Sequence, residues 1–132
     1  MNREVEFRQS LGSQAGERTD ICVDAVSRLG SGKVDIITAV IEVKGSWHRE
    51  VETAIETQLA DRYLATTYLA MHGMYVVGWY MCSDWDDDDG RKRETARRRP
   101  AKVLQRRLNT AARALSDSSR EIRAVVLNTA LQ

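Results

Sequence analysis

The chain has 132 residues, 42% of them hydrophobic and 30% charged, which suits a single buried core and is too little for two ordinary domains. No stretch approaches the roughly 18 uninterrupted apolar residues that a membrane-spanning helix needs. The opening MNREVEFRQS alternates in charge instead of carrying the apolar stretch of a secretory signal. The expectation is a cytoplasmic, single-domain protein spanning residues 1–132, with no membrane partner.

A formal net charge of +1 hides a sharp asymmetry. Asp84, Asp86, Asp87, Asp88 and Asp89 crowd one segment. The next, from Arg91 to Arg107, carries Arg91, Lys92, Arg93, Arg97, Arg98, Arg99, Lys102, Arg106 and Arg107 against Glu94 alone, and local charge of this kind matters more than the sum. The stretch from Asp84 to Arg99 is expected to be an exposed loop. Cys22 and Cys82 each sit in an apolar run without a second Cys or a His at zinc-ligand spacing. Both read as small buried residues in a reducing compartment.

Taken in chain order, residues 3 to 8 set Val5 and Phe7 against Glu4, Glu6 and Arg8, the alternation of a short strand. From Thr19 to Val26 the pattern returns, with Ile21, Val23 and Ala25 on one face and Asp20, Cys22 and Asp24 on the other. Gly30-Ser31-Gly32 predicts a loose hairpin turn into a third strand from Val34 to Lys44, where the β-branched run IITAVIEV dominates. Ser46 is placed to cap a helix starting near Trp47, Glu50 and Glu52 fall in its positive first turns, and His72-Gly73 is its expected stop. Val51, Ile55, Leu59 and Tyr63 recur along it at helical spacing. MYVVGWYM reads as a buried strand. Pro100 opens a second helix with Val103, Leu104, Leu108, Ala111, Ala112 and Leu115 inward, and EIRAVVLNT closes the chain as a strand. The order β, β, β, α, β, α, β predicts an α/β fold, a mixed sheet flanked by helices.

Because side chains alternate along a strand, Glu42 and Lys44 project from one face roughly 7 Å apart. Asp20, opening the preceding antiparallel strand, is expected beside Glu42. Two carboxylates and a lysine converging at one sheet end suit a hard divalent cation and the attack of water on a phosphodiester. In this pattern the sequence resembles the PD-(D/E)xK, or restriction-endonuclease-like, nuclease superfamily: the Asp of RTDICVDAV, the E-V-K of VIEVKG, then a helix carrying QLADRY. The stretch from NREVEFR through IEVKGSWHREV and QLADRYL to HGMYVVGWY also resembles the carboxy-terminal nuclease-like module of large bacterial proteins, some of them acting in defence.

The resemblance implies that Asp20 and Glu42 hold Mg²⁺, which Mn²⁺ would replace, that Lys44 assists the attacking water, and that Gln58 and Tyr63 stand near the site. The Gln-to-Tyr separation is one residue longer here than the family's usual one. The implied activity is hydrolysis of nucleic acid, with DNA favoured, and the implied protein partners are sensor domains of a parent protein or a second copy of the chain. Many members place a further acid on a helix ahead of the first strand. The chain starts too late for one, so either Glu4 or Glu6 stands in, or the domain is expected to be excised from a longer protein.

Plainer readings of the same residues stay open. Asp20, Glu42 and Lys44 also fit a salt-bridged surface patch, Gln58 a structural amide, Tyr63 a core aromatic, and Asp24 a structural acid. Trp47 is placed either to stack on a base or to pack. Arg91, Arg93, Arg97, Arg98 and Arg99 either track phosphates or form a solvated face. The aspartate run lacks the ligand spacing of a calcium loop. The rival function is a non-catalytic nucleic-acid-binding or protein-assembly module of the same fold.

Overall fold

The computed structural model describes residues 3–9, 21–28, 34–65 and 70–130. Five strands, β1 (Arg3–Gln9), β2 (Ile21–Arg28), β3 (Val34–Gly45), β4 (Ala70–Trp79) and β5 (Glu121–Asn128), form one sheet in the order β1-β2-β3-β4-β5. β2 pairs antiparallel with both β1 and β3, whereas β4 runs parallel to β3 and β5 parallel to β4. The sheet is therefore mixed, and each parallel step is made by a helical crossover, as parallel pairing requires. Three helices follow β3: α1 (Ile55–Leu64), α2 (Gly90–Ala96) and α3 (Ala101–Leu115). No helix among the described residues is long and apolar enough to cross a membrane.

Helices α1 and α3 lie on one face of the sheet. There Ile55, Leu59, Leu104, Leu108 and Ala112 join Val40, Tyr75, Val77 and Ile122 in one buried cluster. The predicted inward face of α3 is found in its Leu104, Leu108 and Ala112, with Ala111 and Leu115 packed at the margin. Pro100 stands at its N-cap, where a missing N–H costs nothing.

Several boundaries differ from the sequence reading. Ser46 caps no helix. Residues 46–53 form turns ahead of α1, and the buried Ser46 hydroxyl shares a 3.0 Å hydrogen bond with Thr95 Oγ1. Helix α1 is π-wound. It ends at Leu64, so His72-Gly73 is not its stop but part of β4. The reason lies in packing: a Cβ on Gly73 would come within 2.8 Å of Leu64 Cδ1 and 3.2 Å of Leu59 Cδ2, so this glycine lets α1 approach the sheet.

The acidic-to-basic stretch is not all loop either. Asp89 accepts from Arg91 N at 2.8 Å and thereby caps α2. Cys82 is buried and Cys22 only half-buried. The predicted Gly30-Ser31-Gly32 turn lies outside the described residues, although the strands it joins pair as expected through Arg28↔Val34.

Candidate active site

Strand alternation sends Glu42 and Lys44 to the helix-covered face of β3. Lys44 Nζ is 2.6 Å from Glu42 Oε1, and Glu42 is only 3% exposed. An open surface patch, one of the plainer readings, does not fit a carboxylate this deeply covered. Beside Glu42 across the ladder stands Tyr75, whose hydroxyl donates to the Val51 carbonyl at 2.9 Å. Burial, and then the Glu50 carboxylate, push that phenol well above its ordinary pKa.

Glu50 extends the polar cluster. Its Oε2 accepts from Gln58 Nε2 at 2.9 Å, so Gln58 reaches the cluster through Glu50. The Glu50 backbone N–H donates to His48 Nδ1 at 3.2 Å. Desolvation, and then the Lys44 cation, hold the His48 imidazole below its ordinary value of 6.5. Two bonded groups result, Glu42 with Lys44 on β3 and His48 with Glu50 and Gln58 in the turns and α1, and the Lys44 charge acts on His48 between them. Sequence reasoning placed Glu50 in the first turns of a helix and drew neither it nor His48 into the site. Their place six and four residues beyond Lys44, in a turn that folds back over the strand, is the signal that would have found them. Tyr63 packs at the margin of the core.

Asp20 lies outside the described residues. So do the side chains of Glu4 and Glu6, whose backbone is in β1. Asp24 is buried, and Thr38 Oγ1, its cross-strand neighbour, donates to its Oδ1 at 2.7 Å. Among the described residues no three His, Cys, Asp or Glu side chains gather as metal ligands. Glu42 offers the hard oxygen chemistry that Mg²⁺ takes, with one of its oxygens already against Lys44. A second carboxylate is needed to complete a site there.

Trp47 lies elsewhere. Its ring folds against Gly45, where a Cβ would sit 2.5 Å from it. By alternation Gly45 faces away from Lys44, so the indole is on the opposite side of the sheet from the Glu42–Lys44 pair. It meets Trp85 edge-on at 6.1 Å, and Trp85 meets Tyr80 at 4.9 Å. Arg91 Cζ stands 5.8 Å from the Trp47 ring centre and 5.5 Å from that of Trp85.

The arginines predicted to hold phosphates are largely paired with acids. Arg91 Nη2 is 2.6 Å from Asp89 Oδ2, Arg97 Nη1 is 3.0 Å from Glu94 Oε1, and Arg99 Nε is 3.4 Å from Glu52 Oε1. Arg98 donates to the His48 carbonyl at 3.2 Å and stands 3.9 Å from Glu94. Arg93 is exposed on α2. The segment is laced together more than it is a free cationic track.

Comparison of the chain with family models, with curated proteins and with solved structures finds no match to any of them.

Proposed function

We propose that the chain is a metal-dependent nuclease domain of the restriction-endonuclease-like type, hydrolysing phosphodiester bonds with DNA as the favoured substrate. The observation that carries this reading is the covered Glu42–Lys44 pair, a carboxylate and an ammonium 2.6 Å apart on one strand, with Gln58 on the following helix hydrogen-bonded to Glu50 in the turns between. Asp20 enters through its neighbour in sequence. Ile21 pairs with Ile41, the neighbour of Glu42, and the proposal is that Asp20 and Glu42 act together.

In this proposal Asp20 and Glu42 hold the cation. A bound Mg²⁺ would supply an acidified water and balance charge on the phosphate. Lys44 exchanges its contact with Glu42 for one with the attacking water, and Glu50 fixes Gln58 at the edge of the site. The neutral His48 imidazole adds no positive charge to compete with the cation.

The test is incubation of the purified protein with supercoiled plasmid and with structured RNA in Mg²⁺ or Mn²⁺, alongside calorimetric titration of the metal alone. Cleavage lost in Lys44→Ala, and Mn²⁺ binding lost in Glu42→Gln, are expected. Absence of metal binding by the wild-type chain removes the catalytic reading. It leaves the second one, a non-catalytic module of the same architecture, which the near-complete burial of Glu42 and the pairing of the arginines favour.

A further inference from the structure

The sheet has a second face, and beyond the Trp47 cluster at its Gly45 end its described side chains are largely apolar and uncovered by helices. Alternation puts Ile21 and Val23 of β2, Ile37, Ile41 and Val43 of β3, Met74 and Val76 of β4, and Val125 and Leu127 of β5 on the side away from α1 and α3. None of them belongs to the buried core or to the hydrophobics packed on it. Ile21, Ile37, Val43, Met74 and Leu127 are between 37% and 56% exposed. The ladder sets them side by side, Ile21↔Ile41↔Met74 in one row and Val43↔Val76↔Val125 in the next. The ionisable groups that alternation places on this face among the described residues stand towards its margins: Glu121 and Arg123 pair at 2.7 Å on β5, His72 Nδ1 is 3.8 Å from Glu121, and Asp35 lies at the start of β3.

We propose that this face is the interface of a symmetric dimer, in which the open sheet of one copy stacks on the open sheet of a second. Two arguments select a second copy of this chain. The first is area: five strands ~4.8 Å apart, with about seven residues each at ~3.3 Å, present roughly 550 Å² in projection. Two such faces reach about the 1,200 Å² at which specific interfaces begin, since accessible area exceeds projected area. The second is charge. A two-fold interface brings the same patch against itself, and a face whose described centre carries Ile, Val, Met and Ala, with its charges towards the margins, buries little unpaired charge when it meets its own copy. Sheets stacked in this way sit ~10 Å apart with their inner side chains interdigitated.

Sedimentation of the wild-type chain across micromolar concentrations tests the proposal, with circular dichroism to establish that each variant is folded. A species of two chains is expected. Val43→Lys, which places a charge on each side of the two-fold, is expected to raise the dimer dissociation constant about a hundredfold, a tenfold loss at each of two related sites. If Val43→Lys does not fold, Leu127→Lys, near the β5 edge, asks the same question. A wild-type chain that sediments as one copy at every concentration overturns the proposal, whatever else covers the face. So does a folded lysine variant that dimerises as tightly as wild type.

Discussion

The two faces of the sheet invert the usual arrangement. Under the helices, β2 and β3 bury Asp24, Thr38 and Glu42, and the turn beyond β3 buries Ser46. On the uncovered side the same strands display Ile21, Ile37 and Val43. Buried polar groups cost stability unless they are paired, and here the pairing is visible: Asp24 with Thr38, Glu42 with Lys44, Ser46 with Thr95. Exposed apolar area in a contiguous patch marks a surface used for contact. The covered face is thus the one that holds the paired polar groups, and the open face is the one that displays apolar side chains.

The strongest way to break this comparison is to remove one member of the buried ion pair. Glu42→Ala takes away the carboxylate 2.6 Å from the Lys44 ammonium and is expected to destabilise the fold by about 3–5 kcal/mol, measured by urea denaturation. The double change Glu42→Ala with Lys44→Met should recover most of that loss. If the single change costs no more than an ordinary surface substitution, the pair is not held in a dry site, and the contrast between the faces weakens.

Truncation on each face sharpens the contrast. Leu108, fully buried on α3, should lose about 2–5 kcal/mol as Leu108→Ala. Val43→Ala, on the open side, should stay within about 0.5 kcal/mol at concentrations where the chain is a single copy. Equal costs would mean that the open face is covered within one chain. Between these extremes stands Gly73→Ala. The added methyl meets Leu64 and Leu59 at 2.8 and 3.2 Å, and forcing α1 away should cost about 1–3 kcal/mol in the same assay.

Local pattern made much of this legible, and long-range contact hid the rest. The β-branched run of β3, the alternation in β2 and the stripe of α3 each follow from neighbours in sequence, so their place in a mixed sheet with helices could be read directly. The shared face of Glu42 and Lys44 follows from a two-residue spacing. What could not be read was which face would be covered. The alternation in β2 separates Ile21, Val23 and Ala25 from Cys22 and Asp24, but only contacts from outside the strand decide that Asp24 goes in and Ile21 stays out. The same holds for Ser46, whose hydroxyl looked like a helix cap and instead bonds Thr95, 49 residues on. Gly73 looked like a helix stop because its role as a contact surface for Leu64 has no local signature.

The smallest effect, and the one most specific to the covered face, is in pH. Desolvation and then the Lys44 cation hold His48 below 6.5, so the fold prefers the neutral imidazole, while the unfolded chain takes up a proton near the ordinary value. Lys44, Arg49 and Arg98 all act to lower it, and Glu50 opposes them. The unfolded state therefore binds more protons in the interval just below 6.5. The associated stability is fully present above that value and is lost as the pH falls through 6.5 towards the lowered folded one. The urea midpoint of the wild-type chain should drop across this interval, and His48→Gln should flatten the drop. Lys44→Met, which removes a nearby cation and raises the folded value of His48, should flatten it in part. A slope unchanged in both variants would place the source of the pH dependence outside this cluster and detach His48 from the Glu42–Lys44 pair.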